Sequence, residues 1–197
     1  MQIDLHIVKD LPVAIIDDFY NKEELKSIWE EICFLSPKLR PTHITGPALD
    51  ADHNQMTSKT GVFLEEIYAQ QHFSNILVTN KKLWHDNILD ELINSHYFFR
   101  FIPQSNFDST LISRYVQNDY YEAHIDQSCI SAITWFCREP KQFSGGELVI
   151  EDLEIETKNN RLVLFPGILG HQVKPVQMTS TDMLDGRFTM TQFIGIY

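Results

Sequence analysis

The chain has 197 residues, 43% hydrophobic and 22% charged, proportions of a soluble globular protein with a full core. Acidic residues outnumber basic ones 27 to 16, a net charge of -11 without a basic run, which argues against a nucleic acid partner because phosphate is held through Lys and Arg. No apolar run approaches the ~20 residues that span a bilayer, and Met1-Gln2-Ile3-Asp4-Leu5-His6 lacks the pattern of a signal peptide. Three cysteines, Cys33, Cys129 and Cys137, form no metal-type pair and read as free thiols in a reducing cytoplasm. The length predicts one domain over 1–197.

Leu11 to Ile16 reads as a strand, closed by Asp17-Asp18-Phe19-Tyr20. Asn21 with Glu24 predicts a capped helix start, and Leu25, Ile28, Trp29, Ile32 and Leu35 give it a core-facing stripe that Pro37 and Pro41 end. Residues 41–59 are polar and turn-rich and read as a long loop that could cover a site, with His43 and His53 as surface histidines. A second helical region is expected from about Phe63 through Ile93, interrupted near Ser74. Tyr97, Phe98, Phe99 and Phe101 are expected to fill core between helix and sheet.

After Asn106 the pattern changes to short β-prone runs: 111–115, 120–125, 130–137, 147–150, 161–165, 173–176 and 187–197. Gln117-Asn118-Asp119, Ser144-Gly145-Gly146, Lys158-Asn159-Asn160, Pro166-Gly167 and Asp185-Gly186 separate them as turns. Many short strands after helices predict an antiparallel β core, 106–197, backed by a mostly helical layer, 1–105.

Within that core, His124 and Asp126 are two apart in a strand-like run, so their side chains leave one face. With His171 they make two imidazoles and a carboxylate, the facial set that non-haem Fe(II) oxygenases use. His124-x-Asp126, Gly145-Gly146-Glu147-Leu148, 160–166, His171-x-Val173-x-Pro175-Val176 and Gly186-Arg187-Phe188-Thr189 follow in order. The ordered set resembles the 2-oxoglutarate and Fe(II)-dependent dioxygenase superfamily, in its prolyl 4-hydroxylase-like branch. The likeness is firmest over 114–193 and extends to the strand, Asp-Asp-Phe and helix of 13–35.

The resemblance implies a double-stranded β-helix (jelly roll, cupin-like) with Fe(II) on His124, Asp126 and His171. It implies 2-oxoglutarate as the second cofactor, with ascorbate as an optional auxiliary. Arg187 would take the distal carboxylate, for which a guanidinium fork is suited, with Thr189 on its face and Tyr115 bonding the cosubstrate. Lys174, the nearby basic competitor, alternates to the opposite face from His171 and Val173. The connection from Val176 to Gly186 is longer than the branch leads one to expect. Gly145 and Gly146 read as a turn or bulge, Arg161 as structural, and Tyr121, Trp135 and Cys137 as core or pocket lining. The activity implied is hydroxylation of prolyl residues in a peptide or protein. The alternatives are a free amino acid or other small molecule as substrate, or a non-catalytic cupin-like binding module. No residue beyond the metal ligands is required as a catalytic acid or base.

Overall fold

The structure, a computed structural model, describes residues 2–45, 48–49 and 52–196, without the side chains of His43 and Thr45. Its strands are β1 (Asp4–Val8), β2 (Leu11–Ile16), β3 (Arg40–Pro41), β4 (Thr60–Phe63), β5 (Phe107–Tyr115), β6 (Tyr121–His124) and β7 (Ile130–Phe136). They continue with β8 (Phe143–Gly145), β9 (Leu148–Ile150), β10 (Leu153–Ile155), β11 (Leu162–Pro166), β12 (His171–Val173), β13 (Val176–Met178) and β14 (Arg187–Gly195). The helices are α1 (Lys22–Leu35), α2 (Thr42–Thr45), α3 (Leu64–Ile67), α4 (Asn75–Thr79), α5 (Asp86–Ser95) and α6 (Phe101–Gln104), joined by short 3-10 turns.

Three antiparallel sheets result. The major one runs β1-β2-β11-β7-β14-β5-β4-β3, the minor one β10-β9-β12-β6, and β13-β8 stand as a pair. The major and minor sheets face each other as a double-stranded β-helix, or jelly roll.

Alternation along the central strands makes two cores. One face of the major sheet, with Ile112, Ala132, Phe136, Leu164, Phe188 and Met190, packs under Ile28, Ile32, Leu92 and Phe99 of the helical layer. The other face, with Tyr115, Ile133, Trp135 and Phe165, packs against Leu148, Ile150 and Val173 of the minor sheet. At β14 the switch is residue by residue: Phe188, Met190 and Ile194 face the helices, while Arg187, Thr189, Thr191 and Phe193 face the space between the sheets.

The N-terminal segment is tied to this frame by specific groups. Asn21 starts α1 through a reciprocal capping box, its side chain accepting from the Glu24 N–H while Glu24 accepts from the Asn21 N–H. The Asn160 side chain accepts from the Tyr20 N–H and donates to the Tyr20 carbonyl. Buried Glu31 accepts from Ser74 Oγ and the Ile76 N–H, fixing the start of α4.

Several elements differ from the sequence reading. The strand expected over 173–176 is two strands in different sheets, broken at Lys174-Pro175, where proline lacks an N–H for the ladder. β1 was not anticipated; it pairs with β2 across Lys9 and Asp10, whose φ angles of 48° and 64° suit a two-residue hairpin. The helical region expected from Phe63 breaks into short pieces, with Thr60–Phe63 a strand. Of the aromatic cluster, Phe99 is buried, whereas Tyr97 and Phe101 are 71% and 38% exposed because the 3-10 turn at 97–100 and the start of α6 each present only one side inward. In 41–59, His53 is exposed, but the exposure expected of His43 lies outside the described residues, as do 46, 47, 50 and 51. Among the described residues no helix is long and apolar enough to cross a membrane.

Candidate active site

The mouth between the sheets holds a cavity of about 170 Å³ lined by residues of both. His124 ends β6, His171 opens β12, and the two pair directly in the minor-sheet register. Asp126 follows β6, its N–H bonded to the Gly167 carbonyl at 2.8 Å. A Cβ on Gly167 would lie 2.3 Å from the Ser128 carbonyl oxygen, so glycine lets the turn after β11 close on the Asp126 segment. One ligand atom from each of His124, Asp126 and His171 lies within 4.8 Å of the others.

The orientation of these groups suits a cation. Each imidazole places Nδ1 on a backbone carbonyl, His124 on Glu122 at 2.8 Å and His171 on Leu169 at 2.9 Å. With Nδ1 as donor, Nε2 keeps its lone pair toward Asp126, at 3.8 Å from Oδ1 for His124 and 3.4 Å from Oδ2 for His171. Burial, and then the neighbouring His171, hold His124 down at about 4, so at neutral pH it is an unprotonated donor. Burial alone would raise Asp126, but its contacts with His171, Ser131 and His124 bring it below the usual carboxylate range. Ser131 donates to Asp126 Oδ2 and fixes its rotamer. Tyr121 stacks on His124 with centroids 3.6 Å apart. Two imidazoles with Nε2 turned inward and one carboxylate on a common side fit a divalent transition metal.

On the opposite wall, Arg187 pairs in register with Tyr115. It is 1% exposed, and its Cζ lies 4.6 Å from the Tyr115 ring centroid and 5.6 Å from that of Trp135. Nε reaches Thr157 Oγ1 at 3.3 Å, while Nη1 is buried without a hydrogen-bond partner. Burial draws its pKa down to about 10, still protonated at neutral pH. A buried guanidinium with an unsatisfied donor is set for an anion. Thr189 is one step along the same face, and burial pushes Tyr115 above its ordinary range, keeping its hydroxyl a donor. Gly146 has φ +72°, and a Cβ there would come 2.6 Å from Arg187 Cδ, so the Gly-Gly turn is also the space that the arginine occupies.

Of the residues weighed more lightly, Tyr121 lines this cavity and Lys174, Arg161, Cys137 and Trp135 do not. Lys174 pairs with Glu154 on the surface at 2.7 Å, and Arg161 is bound to Asp17. Cys137 is buried in the inter-sheet core, and Trp135 supports Arg187 from beside it. The long connection before β14 leaves Arg187 in register with Tyr115; it contains β13 and a 3-10 turn that Arg138 holds through Asp182 and Asp185.

Lys59 was not singled out from the sequence. It is 9% exposed, lines the cavity, and sets Nζ 4.7 Å from the Tyr121 ring centroid and 5.6 Å from that of Tyr115. Thr57 bridges to Tyr121 and the Met56 carbonyl accepts from the Glu122 N–H, which straps the end of this segment across β6 and aims Lys59 inward. Reading Gly61-Val62-Phe63 as a strand rather than a helix start would have put Lys59 at its mouth.

Comparison with known proteins agrees with this architecture. The model of the 2OG-Fe(II) oxygenase superfamily matches residues 110–195. A PKHD-type hydroxylase of Janthinobacterium sp. (strain Marseille) is 29% identical over 105 residues, covering 45% of this chain and 46% of that protein. One of Shewanella baltica (strain OS155 / ATCC BAA-1091) is 32% identical over 103 residues, covering 45% and 46%. The chain spans about half the length of the curated relatives it matches. In fold it is similar to a Pseudomonas putida prolyl-4-hydroxylase, with a TM-score of 0.60, 14% identity and coverage of 94% and 92%. A viral collagen prolyl hydroxylase from Paramecium Bursaria Chlorella virus-1 gives 0.59, 18% identity and coverage of 94% and 96%. Residues 110–195 thus match the 2OG-Fe(II) oxygenase superfamily model, and the chain, with a His-Asp-His cluster in the mouth of its jelly roll, is similar in fold to prolyl hydroxylases.

Proposed function

We propose that this protein is an Fe(II)- and 2-oxoglutarate-dependent hydroxylase acting on prolyl residues of a peptide or protein. The observation that carries the reading is the pairing of two half-sites across one cavity. Three metal-type donors lie within 4.8 Å on one wall, and a buried guanidinium with a free Nη1 donor lies on the other. In this reading His124 Nε2, Asp126 and His171 Nε2 hold the iron, Arg187 holds the distal carboxylate of the oxoacid, and Tyr115 and Thr189 add hydroxyl contacts. Bound together, ferrous iron and 2-oxoglutarate would let O2 act as the oxidant, one oxygen atom entering the substrate C–H bond and the other the oxoacid, which leaves as succinate and CO2. The chain's part is placement and dryness. Hydrogen bonds from both Nδ1 atoms lock the imidazoles, and Ile133, Leu148, Val173 and Phe193 keep water from the reacting side.

The similarity to PKHD-type hydroxylases and, in fold, to a prolyl-4-hydroxylase supports a prolyl substrate. The reading takes 1–197 as a single oxygenase domain, with 1–105 as support, although β1 to β4 of that part lie in the major sheet. It places the protein in the cytoplasm, in keeping with three free cysteines, and expects no nucleic acid partner at a net charge of -11.

The test is stepwise. Anaerobic calorimetry should show 2-oxoglutarate binding that depends on Fe(II) or Mn(II). Aerobic incubation with a prolyl peptide panel should then give succinate and a peptide heavier by one oxygen atom. Absence of metal-dependent 2-oxoglutarate binding would overturn the assignment. Binding followed by oxidation of a non-prolyl substrate would keep the chemistry and change the substrate.

A further inference from the structure

The register of the major sheet sets three polar side chains in one row. Arg187 of β14 pairs with Tyr115 of β5, and Thr60 of β4 pairs with Arg114, so the residue before Thr60 comes beside Tyr115. Lys59, Tyr115 and Arg187 thus cross the inward wall as ammonium, phenol and guanidinium. The two cations lie 5.6 Å and 4.6 Å from the same phenol ring centroid. Of the described residues lining the cavity, these are the two fixed cations, and Asp126 is the one carboxylate.

The charges do not close on the oxygenase reading alone. A divalent ion on the triad offsets Asp126 and one charge of the oxoacid, and Arg187 offsets the other. Lys59 is then the positive charge left over. Its Nζ has no hydrogen bond or ion pair among the described residues; it lies on the faces of Tyr115 and Tyr121, attracted by Asp126, whose charge the metal would take up, and repelled by Arg187. An ammonium kept 9% exposed and unpaired is costly unless a ligand brings its counter-ion. Burial does depress it, to about 8, which leaves it protonated at neutral pH.

We propose that Lys59 is the second anion-binding group of this cavity and holds a carboxylate that Arg187 does not. The inference rests on the oxygenase reading. The carboxylate has two sources, the acceptor molecule or the metal-side end of the oxoacid, and the charge balance favours the acceptor. In that case the substrate carries its own carboxylate near the oxidised carbon, as a free amino acid or a chain-terminal residue does.

The test compares wild type, Lys59→Met and Lys59→Arg, each with its circular dichroism and melting curve recorded. Calorimetry on the Mn(II)-loaded proteins measures 2-oxoglutarate affinity without turnover. The Mn(II)- and 2-oxoglutarate-loaded proteins are then titrated with the common L-amino acids and their C-terminal amides. A charge-assisted contact is worth roughly 10- to 100-fold in affinity. If wild type prefers a carboxylate to its amide by about that factor, Lys59→Met erases the preference and Lys59→Arg keeps it, the acceptor is the source. If Lys59→Met instead weakens 2-oxoglutarate by the same factor and Lys59→Arg restores it, the oxoacid is the source. Unchanged 2-oxoglutarate affinity in Lys59→Met, with no carboxylate preference in wild type, overturns the proposal. Should Lys59→Met not fold, Lys59→Gln takes its place. Wild type that fails to bind 2-oxoglutarate overturns the oxygenase reading itself, and the inference with it, whereas wild type that binds it isolates Lys59 as the point under test.

Discussion

Strand β14 presents two environments at alternate residues, and the two sides of the major sheet obey different rules. Toward the helices, Phe188, Met190 and Ile194 sit in an apolar layer, with Phe188 edge-on to Trp29 at 5.6 Å. Toward the minor sheet, Arg187 and Thr189 are as buried as those residues. Single neutral polar atoms lack a partner on both sides, Gln192 Nε2 and Thr134 Oγ1 toward the helices and Trp135 Nε1 and Ser113 Oγ toward the minor sheet. On β14, however, the cavity side alone buries a charged group, Arg187, with Nη1 unpartnered. The first side gains free energy from burial. The second gives some of it up, since buried donors without acceptors are penalised. Equal burial therefore does not mean equal chemistry: the helix-facing side is mostly apolar packing, and the cavity-facing side carries a buried charge with a donor open to the cavity.

The sharpest break in that comparison is at the metal end of the inner face. His171→Ala removes one of three donors, and metal affinity should fall by at least about 100-fold, since even a lost outer hydrogen bond costs 10–100-fold. Turnover should vanish, while Arg187→Ala should leave metal binding in place and chiefly raise the 2-oxoglutarate requirement. Metal titration and oxoacid titration on both variants check this; wild-type turnover in His171→Ala would remove that residue from the site. On the outer face the loss should be one of stability. Phe188→Ala should cost about 3–5 kcal/mol in denaturant unfolding and leave 2-oxoglutarate affinity per folded molecule unchanged. An equal affinity loss there would mean that the two faces are not separable.

Next in size is the turn that joins them. Gly145 and Gly146 share a φ of +72°, so alanine at either is strained, but the neighbours differ. A Cβ on Gly145 would press on the Pro175 carbonyl, which is backbone, whereas one on Gly146 would press on Arg187 Cδ and Val176. Gly146→Ala should cost about 1–3 kcal/mol and also weaken 2-oxoglutarate by displacing the guanidinium. Gly145→Ala should destabilise at least as much with smaller change in affinity per folded molecule. Unfolding curves paired with calorimetry separate the two.

How far this division could be read beforehand follows from what each part depends on. The meeting of His124, Asp126 and His171 and the inward place of Arg187 were legible because strand alternation and spacing carry them: His124 and Asp126 two apart, and Arg187 opening an alternating strand. The two cores were legible in outline for the same reason. Lys59 was not, because it lies in a polar segment without periodicity, and only the pairing of Thr60 with Arg114 and the Thr57–Tyr121 bridge place it. The split of 171–178 into two strands hinged on Pro175, whose missing N–H marks a break without saying which sheet takes each half. Tyr97 and Phe101 were misplaced because composition does not say which side of a 3-10 turn or a one-turn helix faces in.

The smallest expected effect lies at the rim, outside both faces. Asp17 accepts from Arg161 Nε and Nη2 at 2.6 and 3.1 Å and from Lys158 at 2.7 Å, tying the end of β2 to the turn before β11. The Arg161 hydrogen bond, with lesser help from Lys158, outweighs partial burial and holds Asp17 at about 2, below its ordinary 3.8. A folded-state value below the unfolded one means that the unfolded chain takes up the proton first as pH falls. The contribution is therefore fully present above about pH 5 and is lost between 3.8 and about 2. Because the Asp17 side chain is 37% exposed, solvent screening limits the contribution to roughly 0.2–1 kcal/mol. Asp17→Asn should lower stability by that amount at pH 7, and its acid-unfolding curve should approach that of wild type below pH 3. The 2-oxoglutarate affinity should not move, because no side chain of this cluster lines the cavity. A change in that affinity would mean that the rim and the inner face are coupled, and that the separation drawn along β14 does not hold across the rest of the sheet.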